Sequence, residues 1–347
     1  MTARFRSGAP RTPPYVVLFV TARCNARCRT CFYWREAGRP KRELTVEEVR
    51  RMAPSFRRLI YLTLTGGEPF LREDLPEIAR AFIEHSGTRF VSIPTNGLLP
   101  ERIADAFARM AAEFPRVLFR AGLSVDGIGP DHDRIRGVEG GFARLGETFR
   151  LLDGLRRRHA NFTVDVTTVC NRFNQESIEA IFAWVDGHWR PDNHNLLLAR
   201  GDSRDPSATE VPVARYRELA EHLRRRERAK APRSLRHLAL RAVKFRTRQV
   251  VCEVREAQRM VVPCRAGHSL LVVTEEGDVR PCEMREGALG NLREAGYDVT
   301  RVLGSAGAQD VLRRIDAGEC WCTYECAIQS SILFRPREYP RVLRGLW

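Results

Sequence analysis

The stretch Tyr15-Val-Val-Leu-Phe-Val-Thr-Ala-Arg-Cys24-Asn-Ala-Arg-Cys28-Arg-Thr-Cys31 joins an apolar run, 15–20, to three cysteines spaced C-x3-C-x2-C. A short apolar run of this kind reads as a strand. In α/β proteins, chemistry collects in the loop that leaves a strand's carboxyl end. Three thiolates there can hold three irons of a [4Fe–4S] cluster and leave the fourth iron free to take a small molecule. Zinc ligation and buried core thiols are the other readings open to three cysteines taken alone.

Downstream, the chain alternates. Leu44-Thr45-Val46-Glu47-Glu48-Val49 opens a helix with Thr45 as N-cap and Glu48 three residues on, the spacing of a capping box. An apolar strand over 59–64 ends in Thr65-Gly66-Gly67-Glu68-Pro69, and a helix follows near 75–86. A strand over 90–95 runs into Asn96-Gly97, followed by helix 101–113, strand 117–125, helix 142–158, strand 162–169, helix 176–189 and strand 194–199. Strands alternating with helices predict parallel βαβ units. The six units counted from residue 15 are too few for a closed eight-fold barrel.

Several strand ends carry polar, conformationally special sequences. In Gly66-Gly67-Glu68-Pro69, two glycines let the backbone approach a ligand closely, and the carboxylate can accept hydrogen bonds from an ammonium group. Thr95-Asn96-Gly97 ends the third strand. Gly122-Leu123-Ser124-Val125-Asp126-Gly127 ends the fourth and is followed by Arg136-Gly137. Each by itself is a turn or a solvated arginine. Asp165 and His194 also lie near strand segments, where a polar residue is as readily structural as catalytic.

Together with the three-cysteine loop, these motifs resemble the radical S-adenosylmethionine (radical SAM) family. The resemblance implies an α/β fold with a partial (β/α)6 TIM barrel, open on one side. It implies a [4Fe–4S] cluster on Cys24, Cys28 and Cys31, and SAM's amino group held at Gly66, Gly67, Glu68 and Pro69. Asn96 supports that set, Ser124 and Arg136 approach SAM's ribose and carboxylate, and Asp126 faces either SAM or substrate as the one catalytic candidate. Family members often carry a bulky residue before the third cysteine. Thr30 stands there in this chain, so Phe32 or Tyr33 is expected to stack on the adenine. The implied reaction is reductive cleavage of SAM to a 5′-deoxyadenosyl radical that removes hydrogen from an unactivated C–H bond. An external one-electron donor such as flavodoxin or ferredoxin would drive it.

A second cysteine group lies at the rear. Cys264 and Cys282 bracket a Glu-Gly277-Asp turn between two short strands as C-x12-G-x4-C, and Cys320, Cys322 and Cys326 follow. This pattern resembles the SPASM/Twitch auxiliary-cluster domain, a small α+β unit. Five thiols are too few for two fully thiolate-ligated clusters, which implies one auxiliary [4Fe–4S] cluster. Cys264 and Cys282 are expected ligands, with two of Cys320, Cys322 and Cys326, and Cys322 and Cys326 favoured. Four thiolates also suit structural zinc.

The 347 residues include ten cysteines, and the net charge is +15. No apolar stretch reaches the roughly 18 residues of a membrane span, and none at the amino terminus suits a signal peptide. A cytosolic location is expected, where clustered cysteines argue for metal or redox chemistry rather than disulfides. Cys170 and Cys252 stand apart in apolar surroundings and read as buried thiols. Residues 215–249 hold thirteen lysines and arginines against three glutamates. A solvated surface is the default reading of such a run. Attraction of an acidic or phosphorylated substrate, or of a membrane surface, is the alternative. The expected domain order is a basic tail over 1–14, the barrel over 15–210, a basic helical linker over 211–258, the auxiliary domain over 259–330 and a basic tail over 331–347. The substrate itself is unknown, with natural-product, lipid or other small-molecule modification favoured and peptide maturation the alternative. A non-catalytic, zinc-bearing nucleic-acid binder would leave the Gly-Gly-Glu-Pro and Ser-Val-Asp-Gly strand ends unexplained, so nucleic acid is not expected as a partner.

Overall fold

The computed structural model describes residues 12–345 apart from residue 58 and residues 231–234. Most of the expected N-terminal tail, and residues 231–234 of the expected helical linker, lie outside these residues. The barrel half runs β1 (Tyr15–Thr21), α1 (Val46–Met52), β2 (Tyr61–Gly66), α2 (Leu75–Ser86), β3 (Phe90–Thr95), α3 (Pro100–Glu113), β4 (Leu118–Ser124), α4 (Pro130–Arg136), α5 (Gly141–Arg158), β5 (Phe162–Cys170), α6 (Ile178–His188) and β6 (Asn193–Leu198). Next come α7 (Val213–Ala229), α8 (Leu235–Ala257), β7 (Leu270–Val273), β8 (Asp278–Arg280) and β9 (Gly290–Asn291). The chain closes with α9 (Val299–Gly304), α10 (Ala306–Asp316), α11 (Glu325–Leu333) and α12 (Tyr339–Arg344). The Thr45/Glu48 capping box forms as expected, each side chain bonding the other's backbone N–H.

All nine strands belong to one sheet, ordered β6-β5-β4-β3-β2-β1-β7-β8-β9. Strands β1 to β6 run parallel in six βα units and do not close on themselves, which is the partial barrel. The rear segment does not form a sheet of its own. β7 pairs in parallel with β1, Tyr15 opposite Leu270, and β8 and β9 follow antiparallel. The pairing covers the edge of β1 that β2 leaves free, an edge that would otherwise expose a row of unpaired backbone groups.

The two faces of the barrel strands differ sharply. Val16, Leu18, Leu62, Leu64, Val91, Ile93, Phe119, Ala121, Leu123, Val164 and Val166 are essentially fully buried and share one core with the flanking helices. The alternate residues face inward. From β2 to β6 they include Thr63, Thr65, Ser92, Arg120, Gly122, Ser124, Asp165, Thr167, Asn193 and Asn195, most of them only half-buried. Parallel strands covered on both faces are usually apolar throughout, so the polar inner face marks a lumen rather than a packed interior.

The free edge of β6 is capped by helices. Glu325 at the start of α11 accepts the Leu198 N–H at 2.8 Å and the Arg200 guanidinium at 2.8 Å. The Tyr216 hydroxyl of α7 donates to the Leu196 carbonyl. The segment expected as a basic linker is a pair of helices, with α8 packed on α7, α11 and α12. Much of its charge is spent inside the fold: Arg215 pairs with Glu179, Arg217 with Glu256, Arg226 and Lys230 with Asp186, Arg246 with Glu253 and Glu338, and Arg248 with Glu227. The expected C-terminal tail is likewise structured through α12, whose Val342 is buried.

Replacing one member of a buried ion pair strands the other. Glu325→Leu should lower the unfolding free energy by about 3 kcal/mol, read by urea unfolding, because the Leu198 N–H loses its acceptor and Arg200 loses one of its two carboxylate partners.

Candidate active site

The cysteine loop after β1 is held on two sides by backbone. On one side the Gly67 N–H donates to the Thr21 carbonyl and the Glu68 N–H to the Arg23 carbonyl, both at 2.8 Å. Gly66 has φ +143°, and a Cβ there would stand 2.2 Å from the Thr21 oxygen; one at Gly67 would stand 2.1 Å from the Arg23 oxygen. The two glycines therefore serve a close approach of chain to chain. On the other side the Arg27 and Arg29 N–H groups donate to the carbonyls of Arg136 and Ile135 at 3.1 and 2.9 Å. Three strand-end loops are thus locked together around Cys24, Cys28 and Cys31.

Glu68 is 1% exposed. Its carboxyl accepts the Thr95 hydroxyl at 2.8 Å, the Asn96 N–H at 2.8 Å and the Phe70 N–H at 3.3 Å. Burial outweighs these donors and pushes its pKa up to about 7, which suits a carboxyl awaiting a cationic partner. Pro69 starts a one-turn 3-10 helix after it. Asn96 donates to the Asn25 side chain at 2.8 Å and so ties the third strand end to the cysteine loop.

Arg136 closes the group from the end of α4. Its guanidinium bonds the Asp126 carboxylate at 3.0 Å, and its Nε is buried without a partner. Burial opposes its charge, yet the fields of Cys28, Asp126 and Cys24 outweigh that and raise its pKa. Glu68 and Cys31 also lie in its field. Asp126 is 0% exposed and accepts the Val169 N–H at 2.8 Å in addition to Arg136. Its carboxylate is turned to Arg136 and the Val169 N–H, and it positions Arg136. Ser124 ends β4 half-buried on the inner face.

The two aromatic candidates separate. The Tyr33 hydroxyl donates to Glu275 at 2.6 Å and its ring packs on Phe19, so it points toward the rear strands. Phe32 lies beneath Arg200 with its Cβ against Gly201. Both are occupied by protein contacts, which leaves the adenine position without an assigned stacking residue. His194 is turned into the outer core against Phe182, where burial lowers its pKa to about 3.

The rear thiols form a second group. Cys264 feels the charges of Cys282 and Cys320, and Cys322 feels those of Cys282 and Cys264. Cys326 lies in the first turn of α11, hydrogen-bonded to Tyr15. Cys282 belongs to a small apolar cluster with Val17, Phe19, Leu270 and Tyr324, and Cys264, Cys322 and Cys326 pack against that same cluster, while Cys320 packs against the main core. Burial pushes Cys24 and Cys264 up to about 11 and Cys322 up to about 12. A bare thiolate is disfavoured in such places, whereas metal ligation deprotonates the thiol outright. Among the described residues, no three His, Cys, Asp or Glu side chains converge on a single-ion position. The donor sets and the unpartnered Arg136 Nε fit a thiolate-ligated cluster with a carboxylate-bearing ligand beside it. Cys170 and Cys252 are buried apart from both groups.

Sequence reading missed Arg200 and Arg204. Both follow β6, so the strand-end rule that found the other loops also points to them; Arg204 lies in the field of Cys31. Among the described residues, no helix is long and apolar enough to cross a membrane.

Comparison with known proteins agrees with this geometry. The chain is 34% identical over 174 residues to Fe-coproporphyrin III synthase of Methanosarcina barkeri, covering 49% of this chain and 40% of that one. It is 28% identical over 293 residues to AdoMet-dependent heme synthase of the same organism, covering 81% and 80%. The chain therefore spans under half of the first relative and most of the second. Among solved structures, Streptococcus suis SuiB bound to S-adenosylmethionine superposes with a TM-score of 0.64 at 16% identity, covering 87% of this chain and 68% of that one. Native anSMEcpe with bound AdoMet superposes with a TM-score of 0.63 at 15% identity, covering 96% and 99%. Residues 18–185 match the model of the Radical SAM superfamily, from within β1 to within α6, and this part of the chain, with its three-cysteine loop and open (β/α)6 barrel, is a radical SAM domain, of a superfamily whose cofactors are a [4Fe–4S] cluster and SAM.

Proposed function

We propose that this protein is a C–H-modifying enzyme that uses SAM at the front site and acts on a small molecule held in the barrel lumen. The observation that carries the reading is the convergence of Cys24, Cys28, Cys31, Glu68 and the half-satisfied Arg136 on one end of the sheet. Cys24, Cys28 and Cys31 would ligate the cluster. Glu68 would take SAM's ammonium, and the unpartnered Nε of Arg136 would meet its carboxylate, a charge-assisted contact suited to the guanidinium fork. Asp126 fixes that fork from behind. Gly66, Gly67, Pro69 and Asn96 shape the loops, and Ser124 stands at the mouth of the lumen. When bound, the cluster and SAM supply one-electron cleavage of SAM and a carbon radical able to take hydrogen from a C–H bond. The protein's own part is orientation and the exclusion of water.

A small-molecule substrate is supported by the relative that matches over 80% of its own length, named a heme synthase. Peptide modification is the second reading. It is favoured by a SuiB structure solved with precursor peptide SuiA and an anSMEcpe structure solved with a Cp18Cys peptide, though at 15–16% identity these likenesses concern the fold. The rear thiols would hold one auxiliary cluster through Cys264, Cys282, Cys322 and Cys326, which gather at one apolar cluster, and that cluster would exchange an electron with the substrate. A flavodoxin- or ferredoxin-type donor in a reducing compartment completes the scheme.

Two measurements test this reading. Anaerobic reconstitution with SAM and dithionite should release 5′-deoxyadenosine from the wild type and none from a Cys24/Cys28/Cys31→Ala triple variant; equal release from both would sink the front-site assignment. For the rear site, Cys326→Ala should lose about four irons relative to wild type, one [4Fe–4S] cluster's worth, while Cys320→Ala keeps them. The reverse result would make Cys320 the ligand in place of Cys326.

A further inference from the structure

The loop leaving β6 reaches the rear thiols as well as the front ones. Arg200 lies two residues beyond the strand, and its side chain is 12% exposed. Its guanidinium donates to Glu325 at 2.8 Å and to Glu283 at 3.3 Å, and the Tyr324 hydroxyl donates to Glu283 at 2.9 Å. The same guanidinium lies over two rings, 4.9 Å from the centre of Tyr324 and 5.5 Å from that of Phe32.

Every one of these partners stands close to a thiol along the chain. Glu283 follows Cys282, Glu325 precedes Cys326, and Tyr324 lies midway between Cys322 and Cys326. Tyr324 and Cys282 belong to one apolar cluster, against which Phe32, Cys264, Cys322 and Cys326 pack. Arg200 therefore holds a buried positive charge over two rings of the cluster where four rear thiols gather. Cys322 and Cys326 both lie in its field. Capping the edge of β6 does not call for this charge, because Glu325 itself accepts the Leu198 N–H at 2.8 Å.

We propose that Arg200 raises the reduction potential of an auxiliary [4Fe–4S] cluster held by the rear thiols; this rests on the reading of Cys264, Cys282, Cys322 and Cys326 as its ligands. The argument is electrostatic. A cluster with four thiolate ligands is an anion, and reduction adds one more negative charge to it. Net charge, hydrogen bonding and burial around such a cluster set its potential. A cation fixed nearby, away from water, favours the more negative, reduced form, and the shortage of solvent keeps that attraction strong. Glu283 acts in the opposite sense from within the same network. Arg200 touches no reacting atom; it works through its charge, and the two acids fix where that charge stands.

The test is a redox titration of the reconstituted full chain, read by electron paramagnetic resonance, in the Cys24/Cys28/Cys31→Ala background so that the front cluster gives no signal. It is repeated with Arg200→Gln, Arg200→Lys and Glu283→Gln added, at matched iron content. Arg200→Gln should lower the midpoint potential by about 59 mV or more, a tenfold change in a one-electron equilibrium. Arg200→Lys should stay near the parent value, and Glu283→Gln should raise it. Opposite signs are the mark of charge, since disturbed packing has no reason to follow the sign of the group removed. Shifts of one sign in Arg200→Gln and Glu283→Gln, or no shift in either, would overturn the proposal. If Arg200→Gln fails to hold iron, Glu283→Gln decides alone, and a potential that is unchanged or lowered there overturns it. A parent that binds no iron would overturn the auxiliary-cluster reading and this proposal with it, leaving the front site untouched.

Discussion

The cysteine loop depends on backbone packed against backbone. Two N–H groups of the Gly66-Gly67-Glu68 turn bond the carbonyls of Thr21 and Arg23, and two N–H groups of the loop bond carbonyls at the end of α4. A side chain at either glycine would occupy the space of a carbonyl oxygen. This fastening holds three half-buried thiols close together, and desolvation raises the pKa of Cys24 and Cys31. It also places Glu68 and Arg136 within reach of the same ligand. A metal cluster bound there would replace a costly arrangement of desolvated groups by a satisfied one.

The rear segment gains its position from the same strand. Because β7 adds to β1, the loop carrying the front cysteines and the segment carrying Cys264 grow from neighbouring strands of one sheet. Tyr33 and Glu275 join the two across a 2.6 Å hydrogen bond. Arg200 links β6 to Glu283 and Glu325 between them. A chain organised in this way holds its two thiol groups in fixed relation.

Much of this was legible in the sequence, because periodicity and strand-end motifs report local chemistry. The six strands and their helices fall within a few residues of expectation, since each strand's outer face must be apolar to meet a helix. Other features depended on tertiary contact. α4 is only seven residues between glycines and shows no helical period of its own. The Gly-Gly pair also packs against backbone of the cysteine loop, a contact that the motif itself does not show. Cys320 and Cys322 lie on the stretch before α11 and Cys326 in its first turn, a division that spacing alone does not reveal. Asp126 looked free, yet its carboxylate is consumed by Arg136 and the Val169 N–H. The basic run over 215–249 suggested an acidic partner, and most of its described cations have carboxylates of this chain as neighbours.

The central claim is that Arg136, held by Asp126, grips the carboxylate of a SAM molecule bound beside the front thiols. Electron paramagnetic resonance of the dithionite-reduced protein, with and without SAM, tests it most directly in wild type and Arg136→Gln at matched iron content. SAM should alter the wild-type spectrum and leave that of Arg136→Gln unchanged at the same concentration. An identical response to SAM in both proteins would contradict the account.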